Sequence, residues 1–269
     1  MRHEGTQAGR AEAFQVKADR AAFSLVELSI VLVILGLLTG GILTGQSLIR
    51  AAELRSVATE YSTFQTATMT FKDKYFALPG DMSNATDFWG IISTGTCNTG
   101  TGTGTETCNG DGDGILDAAA GNRFSEQFMY WQHLANAELI EGQYTGRTGP
   151  IGGHDCVAAG IGCPASRLGS AVWAARSLLA SGSTTRPDGN YRNHFQFGNI
   201  NSTYGWPEAP ALTPEETWNI DTKMDDGKPH RGRIIAASLS GWNNATGSLE
   251  TCTLATASTE LDVNYDLNV

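Results

Sequence analysis

The stretch richest in potential ligands is Asn109-Gly110-Asp111-Gly112-Asp113-Gly114-Ile115-Leu116-Asp117, with an oxygen-bearing side chain at every second residue through Asp113 and a glycine in sixth position. Alternate carboxylates in a glycine-permitted turn can converge on one hard cation, so calcium is the expected ligand, held by Asn109, Asp111, Asp113 and Asp117. The twelfth position, which an EF-hand loop fills with a bidentate Glu, is Ala120, and Glu126 lies beyond it. Two readings therefore stand: a calcium loop of another type, or a Gly/Asp turn beside a disulfide.

His154-Asp155-Cys156 is the best nucleophilic constellation, but adjacent residues seldom face one another as a catalytic set, and Cys163 follows seven positions on. The five cysteines, Cys97, Cys108, Cys156, Cys163 and Cys252, form short-range couples that predict disulfides Cys97–Cys108 and Cys156–Cys163 in an oxidising compartment, with Cys252 left over. The chain lacks a Cys-x-x-Cys pair and its histidines are scattered, which speaks against structural zinc. The Gly/Thr run from Thr96 to Thr107 lacks the Lys of a phosphate loop, and no Gly-x-Ser-x-Gly elbow occurs. A non-enzymatic role is expected.

The element that must position any of this is an apolar segment near the N-terminus. No charged residue occurs from Leu28 to Ile49. As a helix that run spans about 33 Å, enough for a bilayer core. Lys17 and Arg20 precede it while Glu53 and Glu60 follow, so the basic-side rule puts the N-terminus in the cytoplasm and the bulk of the chain outside. A secretory signal would be shorter and end in a small-residue cleavage site, which is absent before Arg50. The odd residue is Glu27, a carboxylate at the head of the span and a functional candidate for that reason. The net charge of −10 excludes a nucleic-acid partner held through phosphate contacts.

Ala22-Phe23-Ser24-Leu25-Val26-Glu27-Leu28, with its charged leader, apolar run and Gly36, resembles the prepilin processing site of the type IV pilin and type II secretion pseudopilin family. The resemblance implies cleavage by prepilin peptidase after Ala22 and N-methylation of Phe23. It further implies assembly into a filament with other pilin-like subunits on an inner-membrane platform, with Glu27 neutralising the Phe23 ammonium of a neighbour. Localisation would be the bacterial inner membrane, single-pass, with a periplasmic head. Ala22 stands where the family usually has Gly, and the Pro common near Thr44 is missing, though Gly40, Gly41 and Gly45 also weaken a helix there. Trp131-Gln132-His133-Leu134 and Asp221-Thr222-Lys223-Met224-Asp225-Asp226-Gly227 are also similar to stretches of pilin-like proteins linked to type II secretion. A pseudopilus subunit is the first expectation, a minor pilin of a type IV pilus the second, and a membrane-anchored calcium-dependent surface-binding protein the third.

The expected fold is α+β: leader 1–22, membrane half-helix 23–49, amphipathic half-helix 50–78 and a head over 79–269. Leu54, Val57, Ala58, Tyr61, Phe64, Phe71 and Tyr75 recur at helical steps, and Pro79 with Gly80-Asp81 ends the helix near Phe76. Asp81 to Trp89 reads as a loop. Asn122 to Ile140 reads as a second helix capped by Ser125, with a Phe128, Trp131, Ala135, Leu139 stripe and His133 off it in solvent. Tyr191 to Phe197 and Arg233 to Leu239 read as strands of a small antiparallel sheet.

Overall fold

The computed structural model describes residues 24–92, 97, 104–116, 125–147, 156, 162–178, 191–200, 206–207, 209–228, 232–237 and 260–263. Ala22, Phe23, Asp117, His154, Asp155 and Cys252 lie outside them. The chain divides into two compact units, Met1–Ile49 and Arg50–Val269. The fold is mixed α+β: a long N-terminal helix, then a globular region with a small antiparallel sheet.

Helix α1 spans Leu25–Tyr75, followed by the short α2 (Ala85–Trp89) and α3 (Glu126–Asn136). Strands β1 (Ala171–Leu178) and β2 (Tyr191–Asn199) precede α4 (Pro214–Met224), β3 (Ile234–Ala237) and β4 (Glu260–Val263). Sheet order is β1-β2-β4-β3 with every pairing antiparallel, so the last strand inserts between β2 and β3.

In the second unit, α1 buries Val57, Tyr61, Phe64, Ala67, Thr68 and Phe71. Their steps of three and four put all six on one face. Phe64 meets Trp131 edge-on at 5.0 Å and Trp173 at 5.8 Å, and Trp131 stacks on Phe195 at 5.8 Å. One aromatic core thus joins α1, α3 and the sheet.

Polar contacts fix the register of that packing. Glu60 accepts from Ser166 Oγ (2.7 Å), the Arg167 N–H (2.9 Å) and Trp173 Nε1 (2.8 Å), and Thr68 shares a buried hydrogen bond with Tyr130. Arg50 donates to both Glu216 oxygens at 2.6 and 2.8 Å, while Glu216 also closes a capping box with Thr213 at the start of α4.

The helix stops at Tyr75, at the expected place near Phe76, with Phe76 in the left-handed region at φ 54° as the chain turns toward Pro79. Several expectations are corrected. Asp81 to Trp89 is not all loop, because Ala85–Trp89 forms α2. Helix α3 is shorter than 122–140, and Ser125 sits at its N-cap without a side-chain cap hydrogen bond. Gly80, at φ +86°, is required to be glycine, since a Cβ there would lie 2.2 Å from the Glu126 carbonyl oxygen.

Candidate functional site

The apolar helix begins with a local device. Ser24 precedes the first helical residue, and its side-chain oxygen accepts from the Val26 N–H at 3.3 Å. Glu27, third in the helix, reaches back so that its Oε2 accepts from the Ser24 N–H at 3.0 Å. Ser24-x-x-Glu27 is thus a capping-box pattern, a signal readable from the sequence and absent from the reading above. Glu27 also lies at the positive end of the helix dipole.

Every residue from 24 to 44 is exposed within the chain. The hydroxyls of Ser29, Thr39, Thr44 and Ser47 all donate to carbonyls three or four residues back. The segment therefore presents apolar side chains outward and satisfies these hydroxyls within the helix, as a bilayer demands. Among the described residues, this is one helix long and apolar enough to cross a membrane. Residues 17–43 match the prokaryotic N-terminal methylation motif. The chain carries the processing signature of type IV pilins and pseudopilins. No curated protein and no solved structure matches it.

The globular region holds the acidic loop. Asp81, Asp111 and Asp113 bring carboxylate oxygens within 4.8 Å of one another. Asp81, distant in sequence, was missed by the reading of the loop alone. The backbone amides of six consecutive residues are already bonded to side-chain oxygens. Asp111 N–H donates to Glu126 (3.0 Å), Gly112 and Gly114 to the two Asp81 oxygens (2.7 and 2.9 Å), and Asp113 to Asp111 (3.1 Å). Ile115 donates to Asp113 (2.7 Å), and Leu116 to Asn193 on β2 (2.7 Å). Asn109 Oδ1 accepts from the Thr86 N–H at 2.8 Å, so it faces α2 rather than a shared centre. Burial pushes the Asp81 carboxyl up to about 6, opposed by the Gly114 and Gly112 amides. The loop is tied down by its own side chains, and Gly110 lets it close on Asp81, whose backbone would meet a Cβ at 2.5 Å.

Cys97 is bonded to Cys108 and Cys156 to Cys163, with Cα atoms 5.9 and 5.2 Å apart. The second bond leaves Cys156 without the thiol that a His154-Asp155-Cys156 nucleophile would need.

His133 is not solvated: it is fully buried. Its ring stacks on Phe71 at 6.3 Å and lies 5.0 Å from Trp89. Nδ1 accepts from the Gly80 N–H at 3.0 Å, which leaves the ring proton on Nε2 facing Thr107 Oγ1 at 3.0 Å. Thr107 then donates to Gln132 Oε1 at 2.8 Å. Burial lowers the His133 pKa to about 3.

Proposed function

We propose that the chain is a membrane-anchored subunit of a type II secretion pseudopilus, cut by prepilin peptidase between Ala22 and Phe23, methylated on Phe23 and assembled into a filament. The observation that carries this reading is the methylation motif over residues 17–43, set on the start of an apolar helix exposed at every residue from 24 to 44. Lys17 and Arg20 before the span support a cytoplasmic N-terminus and a periplasmic head, where the two disulfides would be stable. The exposed helix would pack against the same helix of neighbouring subunits and against lipid, and the inner-membrane assembly platform would receive it. In this reading Glu27 pairs with the Phe23 ammonium of an adjacent subunit.

The size of the globular region after Tyr75 favours the second reading, a minor or tip pilin of a type IV pilus. Neighbouring genes and visible surface fibres distinguish the two. Intact-mass analysis of the membrane-extracted protein tests the shared core of both, with loss of residues 1–22 and gain of one methyl expected. A mature protein that keeps those residues, or is cut elsewhere, overturns it.

Calcium in the Asn109–Asp113 loop is a separate proposal. Convergence of Asp111 and Asp113 on Asp81 supports it, and the use of those oxygens by backbone amides supports the turn instead. Loss of one calcium equivalent per chain in Asp111→Asn/Asp113→Asn, counted by calorimetry, decides for the ion at this loop.

A further inference from the structure

A second acidic group lies at the far end of α4. Asp221, Asp225 and Asp226 bring one carboxylate oxygen each within 4.8 Å of the others. Acidic clusters are common on surfaces, and this one differs in a single respect. Asp221 is only 1% exposed, and neither of its carboxylate oxygens makes a hydrogen bond. Burial raises its pKa, opposed by the nearby Gly227 amide and reinforced by the charges of Asp225 and Asp226. Among the described residues, this buried carboxylate with two unmet oxygens facing two more carboxylates has no counter-charge.

The local sequence explains how the arrangement arises. A capping box with Pro214 starts α4, and its buried face carries Thr217, Ile220 and Asp221. Asp225 closes the helix, its N–H bonded to the Asp221 carbonyl at 2.6 Å. All three carboxylates therefore crowd the C-terminal end of a helix, the negative end of its dipole, where anions are unfavourable. The turn is nevertheless built around them. Asp225 Oδ2 accepts from the N–H groups of Arg233 and Ile234, the latter at 3.1 Å, and Asp226 Oδ1 accepts from Lys228 N–H at 2.8 Å. Among the described residues, the second oxygen of each remains available. Gly227 and Gly232 take positive φ, and a Cβ on Gly232 would stand 1.9 Å from Asp225 Oδ2.

We propose that Asp221, Asp225 and Asp226 form a binding site for a hard divalent cation, calcium, that locks the end of α4 to the entry of β3. The donor set is oxygen only, which selects against zinc and copper. Three carboxylates in an irregular turn suit the larger, geometrically tolerant calcium better than octahedral magnesium. The Asp81 group differs because both Asp81 oxygens already accept amides. The proposal rests on the head alone and stands whether or not the chain enters a filament.

The test uses the full chain in detergent, stripped with chelator and followed by thermal unfolding. Calcium at about 1 mM, the range of extracellular calcium modules, should raise the midpoint by about 3 °C or more. Asp226→Asn removes a charge that repels buried Asp221 while keeping an oxygen for the Lys228 N–H, so it should leave the chelator-treated midpoint no lower than the parent's yet weaken calcium binding at least about tenfold, the loss of one charged ligand. Measured in the Asp111→Asn/Asp113→Asn background, which should keep the response, Asp221→Asn should abolish it. Terbium luminescence excited through Trp218, one turn before Asp221, should appear in the parent and fall in Asp226→Asn. A parent indifferent to calcium overturns the site. So does a response that survives Asp226→Asn and Asp221→Asn, or an Asp221→Asn protein that is merely more stable with the calcium effect intact. An equal response to magnesium overturns the choice of calcium.

Discussion

Acidification should destabilise the head through His133 by an amount the structure allows to be worked out. The folded state holds the imidazole neutral, with its pKa lowered to about 3 by burial. Nδ1 is committed to accepting from Gly80, so a second ring proton would face a donor. Unfolded, the same side chain has a pKa of about 6.5. Below that value the unfolded state binds a proton that the folded state refuses. The contribution is therefore fully present above about pH 6.5 and is lost progressively as pH falls toward the folded value near 3. At pH 5 the deficit is about 1.5 pH units at about 1.4 kcal/mol each, or about 2 kcal/mol. This result needs only that the folded pKa lie well below 5.

Asp81 and Asp221 oppose it, because both carboxyls are raised to about 6 in the folded state and bind protons there before the unfolded chain does. Their contribution grows as pH falls below about 6, so the acid profile of the parent alone is a sum of opposing terms. The assay is accordingly a difference. His133→Asn offers an amide oxygen to the Gly80 N–H and does not titrate. Urea unfolding of parent and variant in mild detergent, read by tryptophan fluorescence, gives the advantage of the parent at about pH 7.5 and pH 5, and that advantage should shrink by about 2 kcal/mol. An advantage constant to within about 0.5 kcal/mol, the limit of such differences, would refute the buried neutral imidazole.

Glu216→Gln keeps the capping side chain of α4 but removes the ion pair with Arg50; with Arg50 40% exposed, the loss should be about 1 kcal/mol and smaller in high salt. Since Arg50 holds Glu216 below the usual carboxylate range, that contribution is present above the unfolded carboxylate pKa and disappears as pH drops below it. Peptide mapping of the exported protein should recover Cys97 with Cys108 and Cys156 with Cys163, and reduction of each short loop should cost roughly 2 to 3 kcal/mol. Five free thiols would sink both the pairing and the periplasmic placement. Glu27→Ala should be inserted and cut normally yet enter filaments poorly, as scored by sheared-fibre yield.

What could be read from sequence was what is decided locally. The Ala22-to-Leu28 motif, the stripe from Val57 to Phe71 and the stop before Pro79 all depend on neighbours within a turn or two. Strand β1 did not show because Ala171-Val172-Trp173-Ala174-Ala175-Arg176 has no strand composition. It is a strand because Trp173 and its neighbours pair with β2, some twenty residues away. His133 was misplaced because a single stripe through Phe128 and Trp131 leaves it on the far face, whereas α3 is buried on both, with Phe71 and Trp89 covering that side. Two signals were present and went unread, the Ser24-x-x-Glu27 and Thr213-Pro214-Glu215-Glu216 capping patterns. The burial of Asp221 had no local signal, since it depends on how α4 meets the rest of the head.

Glu27 poses a question of magnitudes. From Leu25 to Ile49 the chain exposes fifteen large aliphatic side chains. At about 1.5 kcal/mol or more each, their transfer into lipid is worth on the order of 20 kcal/mol. One carboxylate costs about 3 kcal/mol at mid-bilayer and less near the interface, so it cannot decide whether the helix inserts. It can decide at what height. Sliding one helix past another by a turn, about 5.4 Å, exchanges one aliphatic contact for a similar one, but moves a charge away from its partner. Among the described residues, Glu27 answers the Ser24 amide, a neutral donor, and has no ion-pair partner. Glu27→Gln separates the two roles, because the amide oxygen can still cap Ser24 while the charge is gone. On the proposed reading Glu27→Gln should assemble as poorly as Glu27→Ala. Normal fibre yield from Glu27→Gln beside a defect in Glu27→Ala would assign the residue to capping and remove the pairing with Phe23.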